Sequence, residues 1–459
     1  MVYIAIDIGS TYIKSSLLDP DSGIISERNR AEVAPRIRQE NSLRFEVEMD
    51  AILTAVRAIL DGYTAQRRDI AGILLSTQMH GFVYSDPACP EERYISWQDA
   101  RCLEAADASG RTVLDLLGER ITLEEMRPTG VYLKPALGLC NLYALIRERG
   151  GVPTPGAKLY TLGSYLIEKL TGRNICHITN AAPIGLADVV NGRWHRPLIE
   201  KLGFSGIRFP EIATQMEICG YYEADGQHIA VYPDVGDVQA SVCGSGAVTG
   251  DVAVNMGTAG QVVMLHETAR IGRGDPRYYE IRPYFNGVYC HTISRMPSGR
   301  NLDVLAELVR QIGSRVFGQE ISLAEVWRRL GSCGENADSQ GLSVDTSFYE
   351  TPEHLADGAI MHIHRANLTL ENLFSAAYAD LGRVYAGYIH MMEEAVGQKA
   401  KRLVFCGGAV RANPMIRRAI EEAVGIKGVL SVSGDEVHEG LMKIACEIER
   451  AKAEGEKQL

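Results

Sequence analysis

The hydrophobic and polar positions change period along the chain, and this change predicts strands and helices in alternation. A run of β-branched and apolar residues over 2–8 is interrupted at Gly9, and residues 13–18 resume a strand pattern, which predicts a β-hairpin. Apolar residues then recur at helical spacing over 49–60, and residues 70–76 return to a strand pattern. Such alternation indicates an α/β fold with a largely parallel or mixed sheet. Further along, the same patterns predict surface excursions over 311–358, helices over 368–395 and 414–424, and a strand over 403–406.

The beginning of the chain reappears near its middle. Residues 4–11 have the sequence IAIDIGST, and residues 252–259 have the sequence VAVNMGTA. The copies lie too far apart for a solenoid repeat, so they predict equivalent hairpins in two related domains, although two unrelated strand-turn segments would look the same. The Gly-, Ser- and Ala-rich stretch 244–250 predicts the boundary. We therefore expect one domain over 1–246 and another over 247–459, each a mixed sheet flanked by helices, with a cleft between them.

Composition narrows the functional classes. A chain of 459 residues that is 46% hydrophobic and 23% charged suits two globular domains. The net charge of −11 argues against sequence-independent nucleic-acid binding, which requires clustered cations. We find neither a secretory leader nor an apolar run near the ~20 residues that cross a bilayer. The ten cysteines include no Cys-x-x-Cys pair, so we expect a cytoplasmic protein without membrane or nucleic-acid partners, either a monomer or a homodimer.

The first hairpin carries residues suited to binding phosphate. A strand followed by glycine and hydroxyl residues exposes successive backbone N–H groups, and such concavities bind anions. Gly9, Ser10 and Thr11 would provide this cradle, and Lys14 would add a cation. Asp7 would repel phosphate unless a cation intervened, so its presence predicts Mg²⁺, reached through water. An ordinary β-turn is the alternative.

The second hairpin offers the same cradle without the acid. Gly257 and Thr258 would bind phosphate, while the neutral Asn255 takes the place of the carboxylate. One hairpin would then organise the metal and the other would bind phosphate directly.

A separate carboxylate lies just before the second hairpin. Asp237 follows Gly236 at the end of an apolar strand and at the start of a predicted helix. Asp is a common helix N-cap, which is the simpler interpretation. Transfer of a phosphoryl group to a hydroxyl also needs a carboxylate that orients the hydroxyl and accepts its proton. The two roles are compatible.

Two polar clusters could bind a hydroxylated ligand. Gln78 and His80 follow the strand 70–76, and ligands of open α/β sheets collect at the carboxyl ends of strands. The second cluster combines an aromatic ring, a carboxylate and a guanidinium: Trp97, Asp99 and Arg101. Its alternatives are a core tryptophan and a structural ion pair.

A strand over 403–406 leads into a Gly-Gly turn that could approach a flat adenine ring. Gly407, Gly408 and Ala409 form the turn, and Asn413 could reach the base or the ribose. A loop that begins a helix is an equally good interpretation. The chain has no Gly-x-x-x-x-Gly-Lys-Ser/Thr segment and no Gly-x-Gly-x-x-Gly after the first strand, which argues against P-loop NTPases and Rossmann dehydrogenases.

Taken in order, these pieces resemble the FGGY carbohydrate kinases of the actin-like ATPase superfamily. The resemblance spans essentially the whole chain and rests on residues 7–11, 78–81, 97–101, 236–237, 256–258 and 407–408. It implies two actin-like (ribonuclease H-like) domains that close over ATP, Mg²⁺ and a sugar. It also implies these roles: Asp237 as catalytic base and possible metal ligand, Asp7 near Mg²⁺, the hairpins at Gly9 and Gly257 on phosphates, Gly408 and Asn413 near adenosine, and Met79, His80 and Asp237 at the sugar.

Within the family the likeness is greatest to sedoheptulokinases and then to xylulokinases. Residues 97–102, 236–242 and 282–287 carry the first likeness, whereas 78–81 is shared with xylulokinases. The Gly-Glu-Arg-x-Pro stretch common in xylulokinases is not recognisable around 343–350. Three residues stand where smaller ones are expected, and they could reshape the sugar pocket: Arg295, Met296 and Arg300.

The leading hypothesis is transfer of the γ-phosphoryl group of Mg-ATP to a terminal hydroxyl of a ketose, with Asp237 as base. The alternatives are a kinase for another polyol, a sugar or nucleotide sensor that no longer transfers, and an actin-like polymer or chaperone ATPase. A sensor has no need of a proton acceptor at Asp237. A polymer or chaperone leaves the polar cluster at Gln78 and His80 unexplained.

Overall fold

The computed structural model describes residues 1–459 apart from 90, 258, 270–277, 332, 336–337 and 457–459. Its strands are β1 (Val2–Ile8), β2 (Tyr12–Asp19), β3 (Ile24–Glu32), β4 (Glu46–Glu48), β5 (Ile70–Thr77), β6 (Phe82–Ser85), β7 (Arg93–Ile95), β8 (Lys158–Tyr160), β9 (Ile175–His177), β10 (Ala187–Asp188), β11 (Arg193–Trp194), β12 (Glu211–Ala213), β13 (Gly220–Ala224), β14 (Gln227–Val231), β15 (Val235–Gly236), β16 (Val252–Met256), β17 (Gly260–His266), β18 (Glu280–Pro283), β19 (Tyr289–Met296), β20 (Ser343–Asp345), β21 (Ala359–Met361), β22 (Leu403–Cys406) and β23 (Gly428–Leu430). Its α-helices are α1 (Met49–Gln66), α2 (Val113–Arg120), α3 (Leu123–Met126), α4 (Gly138–Glu148), α5 (Leu162–Thr171), α6 (Ile178–Ala181), α7 (Arg196–Lys201), α8 (Asp237–Ser245), α9 (Gly299–Phe317), α10 (Leu323–Leu330), α11 (Leu370–Val396), α12 (Gly408–Ala412), α13 (Pro414–Val424) and α14 (Glu436–Glu456). Short 3-10 turns lie at Arg101–Leu103, Arg127–Thr129 and Ala182–Ile184.

Strand β1 lies at the centre of the first sheet and is buried along its whole length. The strand order is β13-β14-β5-β1-β2-β3, and β15 also pairs with β5. β1 is antiparallel to β2 and parallel to β5. Successive side chains of a strand point to opposite faces. Ile4 and Ile6 therefore pack with α1 and α5, whereas Tyr3 and Ala5 pack with α14. Burial on both faces explains why β1 is apolar except at Asp7, near its end.

The second sheet repeats this arrangement. Its central strand β16 pairs antiparallel with β17, which pairs antiparallel with β19. On its other side β16 is parallel to β22, and β22 is parallel to β23. The similar segments 4–11 and 252–259 therefore contain equivalent central strands, each paired antiparallel with the strand that follows it. The predicted α/β fold with two mixed sheets flanked by helices is confirmed.

Helix α14 returns the chain from the second sheet to the first, where it packs against α8. Glycines permit the close contact. A Cβ on Gly244 would collide with the carbonyl oxygen of Glu436, and a Cβ on Gly440 would collide with that of Ala240. Gly244 therefore lies inside a packed helix, although the composition of 244–250 predicted a domain boundary. The domain boundary placed there stays a prediction.

Other elements differ from the sequence prediction mainly in length. The helix expected over 49–60 extends to Gln66, because Tyr63 and Thr64 continue its buried face. The region 311–358, expected to hold surface excursions, includes the end of α9, all of α10 and β20. No helix in the described part of the chain is both long and apolar enough to cross a membrane. All ten cysteines are free thiols.

Candidate active site

Three strands of the first sheet end side by side, and their last residues bring the predicted chemistry together. β5 lies between β1 and β15, and it is parallel to both. Ser76 on β5 pairs with Asp7 on one side and with Val235 on the other. Asp7, Gln78 and Asp237 therefore gather at one sheet edge, where parallel strands collect ligands.

Asp237 is the first residue of α8, and Gly236 occupies the N-cap position. The N-cap of α8 is thus Gly236 and not Asp237, as one interpretation of the sequence had it. The Asp237 carboxylate nevertheless accepts a hydrogen bond from the Val238 backbone N–H at 2.8 Å. Part of its surface remains accessible. Burial, and secondly the neighbouring Asp7 carboxylate, raise the pKa of Asp237 to about 7. A carboxylate with this pKa can exchange a proton near neutral pH, as a general base must.

A buried network holds the turn that carries Asp237. The Asp234 carboxylate accepts hydrogen bonds from Asn180 Nδ2 at 2.6 Å and from Thr77 Oγ1 at 3.4 Å. The Gly236 backbone N–H donates to Thr179 Oγ1 at 3.1 Å. These bonds join the turn to two other segments, β5 and α6, which together fix the position of Asp237.

Asp7 is only 5% exposed and lies opposite Lys14 in the hairpin register. Its Oδ2 is 3.6 Å from Lys14 Nζ, and its Oδ1 has no hydrogen-bond partner among the described residues. Burial raises the pKa of Asp7, and the Lys14 charge opposes that rise. Lys14 also lies 3.8 Å from Asp435, so its charge is shared between two carboxylates.

The carboxylates at this edge suit Mg²⁺ better than a metal held by protein ligands alone. The described residues contain no group of three or more His, Cys, Asp or Glu side chains arranged around a metal position. Mg²⁺ is usually held by one or two carboxylates, substrate phosphates and water. Asp7, with one unpartnered oxygen, and Asp237 beside it fit that pattern.

The polar cluster after β5 faces the same region. Gln78 Nε2 donates to the Gly9 carbonyl oxygen at 3.2 Å, and its Oε1 has no partner among the described residues. Met79 packs so closely on Gly236 that a Cβ there would lie 2.5 Å from the Met79 sulfur. His80 has a left-handed backbone (φ 69°), and its Nδ1 contacts the Pro183 carbonyl oxygen at 3.1 Å. Burial, then the charges of nearby cations, hold the pKa of His80 well below its usual range, so the ring is neutral.

Ser10, Thr11 and Gln78 line one cavity of about 330 Å³ together with Tyr94. The motifs did not predict Tyr94. Its hydroxyl has no hydrogen-bond partner among the described residues, and the Asp237 charge contributes to raising its pKa after burial. The ring passes over Gly81, where a Cβ would collide with the hydroxyl. This contact explains the glycine that follows His80.

The second polar cluster is largely structural. Arg101 is 2% exposed and donates from Nε and Nη2 to Asp99 at 2.9 Å each and from Nη2 to Glu46 at 2.5 Å. Asp99 also accepts from the Phe45 backbone N–H at 2.8 Å. Trp97 is 40% exposed. Asp99 and Arg101 are therefore engaged in hydrogen bonds within this cluster, and the structure does not place them as free side chains at the strand ends near Asp237.

The residues expected at the nucleotide gather at the second sheet. Gly257, Ala409 and Asn413 line one cavity of about 1020 Å³, with Trp327 and Leu302 on its apolar walls. Asn413 is the N-cap of α13, and its Nδ2 donates to Tyr378 Oη at 3.0 Å. Gly408 begins α12. Thr258 lies outside the described residues.

The three unusual residues at the end of β19 and the start of α9 do not meet in one pocket. Met296 is a core residue of the second half. Arg295 is exposed and lies 3.5 Å from Glu350. Arg300 lines the large cavity near Asn413, and its guanidinium stacks 4.3 Å from the centre of the Tyr349 ring.

Three further charged residues lie near His80, and the motifs singled out none of them as site residues. Glu280 receives a short contact from Lys134 Nζ at Oε1 and a 2.5 Å hydrogen bond from Arg282 Nη2 at Oε2. Lys134 and Arg282 both act electrostatically on His80, and Arg282 also acts on Asp237. Arg282 stood in a stretch that carried the resemblance. No motif or neighbouring residue in the sequence indicated that Arg282 belongs to the site.

Comparison with known proteins agrees with this geometry. A model of the N-terminal domain of the FGGY family of carbohydrate kinases matches residues 2–244. Human sedoheptulokinase is 24% identical over 469 aligned residues, which cover 92% of this chain and 92% of the relative. Glycerol kinase 2 of Sulfolobus acidocaldarius is 26% identical over 275 residues, covering 57% of this chain and 53%, about half, of that relative.

Solved structures share the fold. Xylulose kinase from Rhodospirillum rubrum superposes with a TM-score of 0.81 at 16% identity, covering 97% of this chain and 89% of that structure. Plasmodium falciparum glycerol kinase with ADP superposes with a TM-score of 0.77 at 13% identity, covering 96% and 88%. Since the family model matches more than half of the sequence, the chain belongs to the FGGY family of carbohydrate kinases.

Proposed function

We propose that the protein transfers the γ-phosphoryl group of Mg-ATP to a hydroxyl of a ketose that resembles sedoheptulose or xylulose. The observation that carries this proposal is the position of Asp237 at the start of α8, beside Asp7, with a pKa raised to about 7. A partly buried carboxylate next to a carboxylate that could organise a metal is what acceptor activation requires. The protein would act in the cytoplasm as a monomer or a homodimer.

ATP would lie with its adenosine in the cavity lined by Ala409 and Asn413 and with its phosphates towards Gly257. The hairpin at Gly9 would face those phosphates from the first sheet. Asp7 would hold Mg²⁺ through water, and the bound ion would neutralise charge on the transferring phosphoryl group. Backbone N–H groups at both hairpins would stabilise the same charge.

Asp237 would orient the acceptor hydroxyl and take up its proton as the phosphoryl group transfers. Gln78 and His80 would bind other hydroxyls of the sugar, since Gln78 Oε1 has no partner among the described residues and both residues follow β5 at its carboxyl end. Closure of the two halves would exclude water that could otherwise hydrolyse ATP.

The ketose assignment is supported by the full-length similarity to human sedoheptulokinase. The shorter similarity to glycerol kinase 2 makes glycerol a necessary member of any substrate panel. Purified protein should be incubated with Mg-ATP and a panel of ketoses, polyols and glycerol while ADP and the phosphorylated product are measured. We expect ketose-stimulated ADP release. The absence of stimulation by every acceptor would refute the kinase proposal.

The base is tested by Asp237→Asn. This variant should lose a factor of about 10²–10⁴ in kcat, the usual contribution of a positioned base. ADP binding, measured by calorimetry, should stay within a few-fold. Near-normal turnover of the variant would show that Asp237 is not the base.

A further inference from the structure

Lys134, Glu280 and Arg282 form an ion cluster that joins the two halves of the molecule. Lys134 precedes α4 in the first half, whereas Glu280 and Arg282 lie on β18, an edge strand of the second sheet. The free edge of β18 is held by the first half, because the Ile281 backbone N–H donates to the Gly130 carbonyl oxygen at 2.9 Å. Gly130 is left-handed (φ 69°), and a Cβ there would collide with the Ile281 carbonyl oxygen.

Successive side chains of β18 point to opposite faces of the strand, and the ion cluster lies on the face away from the core of the second half. Ile281 belongs to that core, so Glu280 and Arg282 lie on the opposite face of the strand. The end of the strand is also anchored, because Gln239 Nε2 in α8 donates to the Pro283 carbonyl oxygen at 3.1 Å. Since α8 begins at residue 237, this bond places Arg282 close to the proposed base.

The cluster has more donors than it uses. Arg282 donates Nε and Nη2 to Glu280 Oε2 at 3.1 and 2.5 Å, and Nη1 has no partner among the described residues. Lys134 directs one hydrogen bond to Glu280, although an ammonium group has three N–H donors. Arg282 is only 3% exposed. The Lys134 side chain is 25% exposed, so its spare donors can meet a ligand that enters from solvent.

The cluster also carries more positive charge than negative charge. Two cations share the single carboxylate of Glu280, and the neighbouring His80 ring is neutral. A cluster of this composition is a poor device for stability alone, since desolvation offsets most of the attraction within buried ion pairs. Its spare donors and surplus positive charge suit electron-rich oxygens of a polyhydroxylated ligand.

We propose that Lys134 and Arg282 are acceptor-binding residues, and that they donate hydrogen bonds to hydroxyl or carbonyl oxygens of the ketose away from the hydroxyl held by Asp237. Glu280 is a positioning residue that fixes both cations. This inference rests on the proposed function. It makes the acceptor a ligand of both halves, so sugar recognition and closure of the two halves are coupled.

The test is Arg282→Gln, measured with the ketose that the wild-type protein phosphorylates best. The KM for that ketose should rise about 10- to 100-fold, the usual effect of removing hydrogen bonds from a charged group in a polar site. The KM for ATP should stay within about two-fold. Arg402→Gln is the matched control, because Arg402 makes the same two-atom contact with Asp251 at 2.5 and 3.1 Å far from the strand ends of the site. This control should leave both KM values unchanged.

A second variant guards against misfolding. Glu280→Gln keeps the shape of the side chain but loosens both cations, and its ketose KM should rise by a smaller factor than that of Arg282→Gln. In both variants, ADP should still raise the melting temperature as it does in the wild type, whereas the ketose should no longer do so. Loss of both responses would mean that the cluster is structural, which would overturn the inference.

The remaining outcomes separate the two proposals. A wild-type protein that phosphorylates a ketose, with an unchanged ketose KM in Arg282→Gln, would overturn this inference and leave the proposed function intact. A wild-type protein without any acceptor response would overturn both.

Discussion

The central strands of the two hairpins each pair antiparallel with the strand that follows, but they differ in one side chain near the end of the central strand. In the first hairpin Asp7 pairs across the strands with Lys14, an acid opposite a cation. In the second hairpin Asn255 pairs with Gln261, an amide opposite an amide. In the proposed function, the duplicated fold would supply two anion cradles, and the Asp7 carboxylate would make only the first of them a site for a metal. Charge, rather than backbone shape, distinguishes their proposed roles.

The strands parallel to β1 and β16, which are β5 and β22, also end differently. After β5, Gln78 reaches across with its side chain to the Gly9 carbonyl oxygen. After β22, the equivalent place is taken by Gly407, which is left-handed (φ 92°). A Cβ on Gly407 would lie 2.5 Å from the Met256 carbonyl oxygen and 2.7 Å from Asn255 Oδ1. The first hairpin is braced by a side chain, whereas the second lies directly against backbone and opens towards the large cavity.

The substitution with the largest expected effect on this difference is Asp7→Asn. It replaces the carboxylate of the first hairpin with the amide that the second hairpin has at Asn255. We expect kcat to fall by a factor of about 10²–10³, because metal stabilisation of transition-state charge is worth several kcal/mol. The Mg²⁺ concentration for half-maximal activity should rise. Activity measured across a Mg²⁺ series checks both effects, with Asp435→Asn as a control that changes the other carboxylate near Lys14. An unchanged Mg²⁺ dependence would contradict the metal assignment of Asp7.

The packing of the second hairpin should depend on the absence of a side chain at Gly407. Gly407→Ala forces a side chain into a left-handed conformation and against the Met256 carbonyl oxygen. We expect the free energy of unfolding to fall by about 1–3 kcal/mol. Gly408→Ala is the matched control, since its Cβ would meet no atom within 4 Å and it lies in α12. Its stability should change by no more than about 0.5 kcal/mol, or increase slightly. Denaturant unfolding of the two variants measures the difference, and equal losses would show that Gly407 is not conformationally required.

The reciprocal exchange is Asn255→Asp, which places an acid in the second hairpin. A carboxylate near the phosphates should raise the KM for ATP about tenfold through charge repulsion. The effect should weaken at high Mg²⁺, which neutralises the nucleotide. Asn191→Asp, in the turn between β10 and β11, makes the same chemical change away from the site and should leave the KM unchanged. A normal KM in Asn255→Asp would indicate that ATP does not approach this hairpin.

The sequence singled out those candidate residues whose signal is local. Gly9, Gly257 and Asp237 each follow a strand within a few residues, so a strand, a breaker and a polar residue were enough to find them. The alternation of periods predicted the two sheets for the same reason. Gly244 shows the limit of such reasoning, because glycine-rich composition serves a linker and a close helix contact equally well.

The parts that were missed depend on tertiary contacts. Tyr94 reaches the site only because β7 packs beside the segment that contains Gly81. Glu280 and Lys134 come from different halves of the chain, and no spacing rule links them. Asp99 and Arg101 looked like sugar ligands because their residue types suit that role, yet their donors and acceptors are used by each other and by Glu46.

The smallest expected effect concerns pH and tests whether the first hairpin acts on the base. Asp237 must be ionised to accept a proton, and its pKa is raised to about 7 by burial and by Asp7. The kcat/KM of the wild type for the ketose should therefore fall as the pH drops below about 7. Asp7→Asn removes the negative charge that opposes ionisation of Asp237, so the pKa of Asp237 should decrease and the acidic limb should move to lower pH, even though the maximum rate is reduced. Asn255→Asp, which adds its charge on the second sheet, should leave the limb where it is. A limb that stayed in place or moved to higher pH in Asp7→Asn would mean that the two carboxylates do not interact, and the first hairpin would then differ from the second only in its metal.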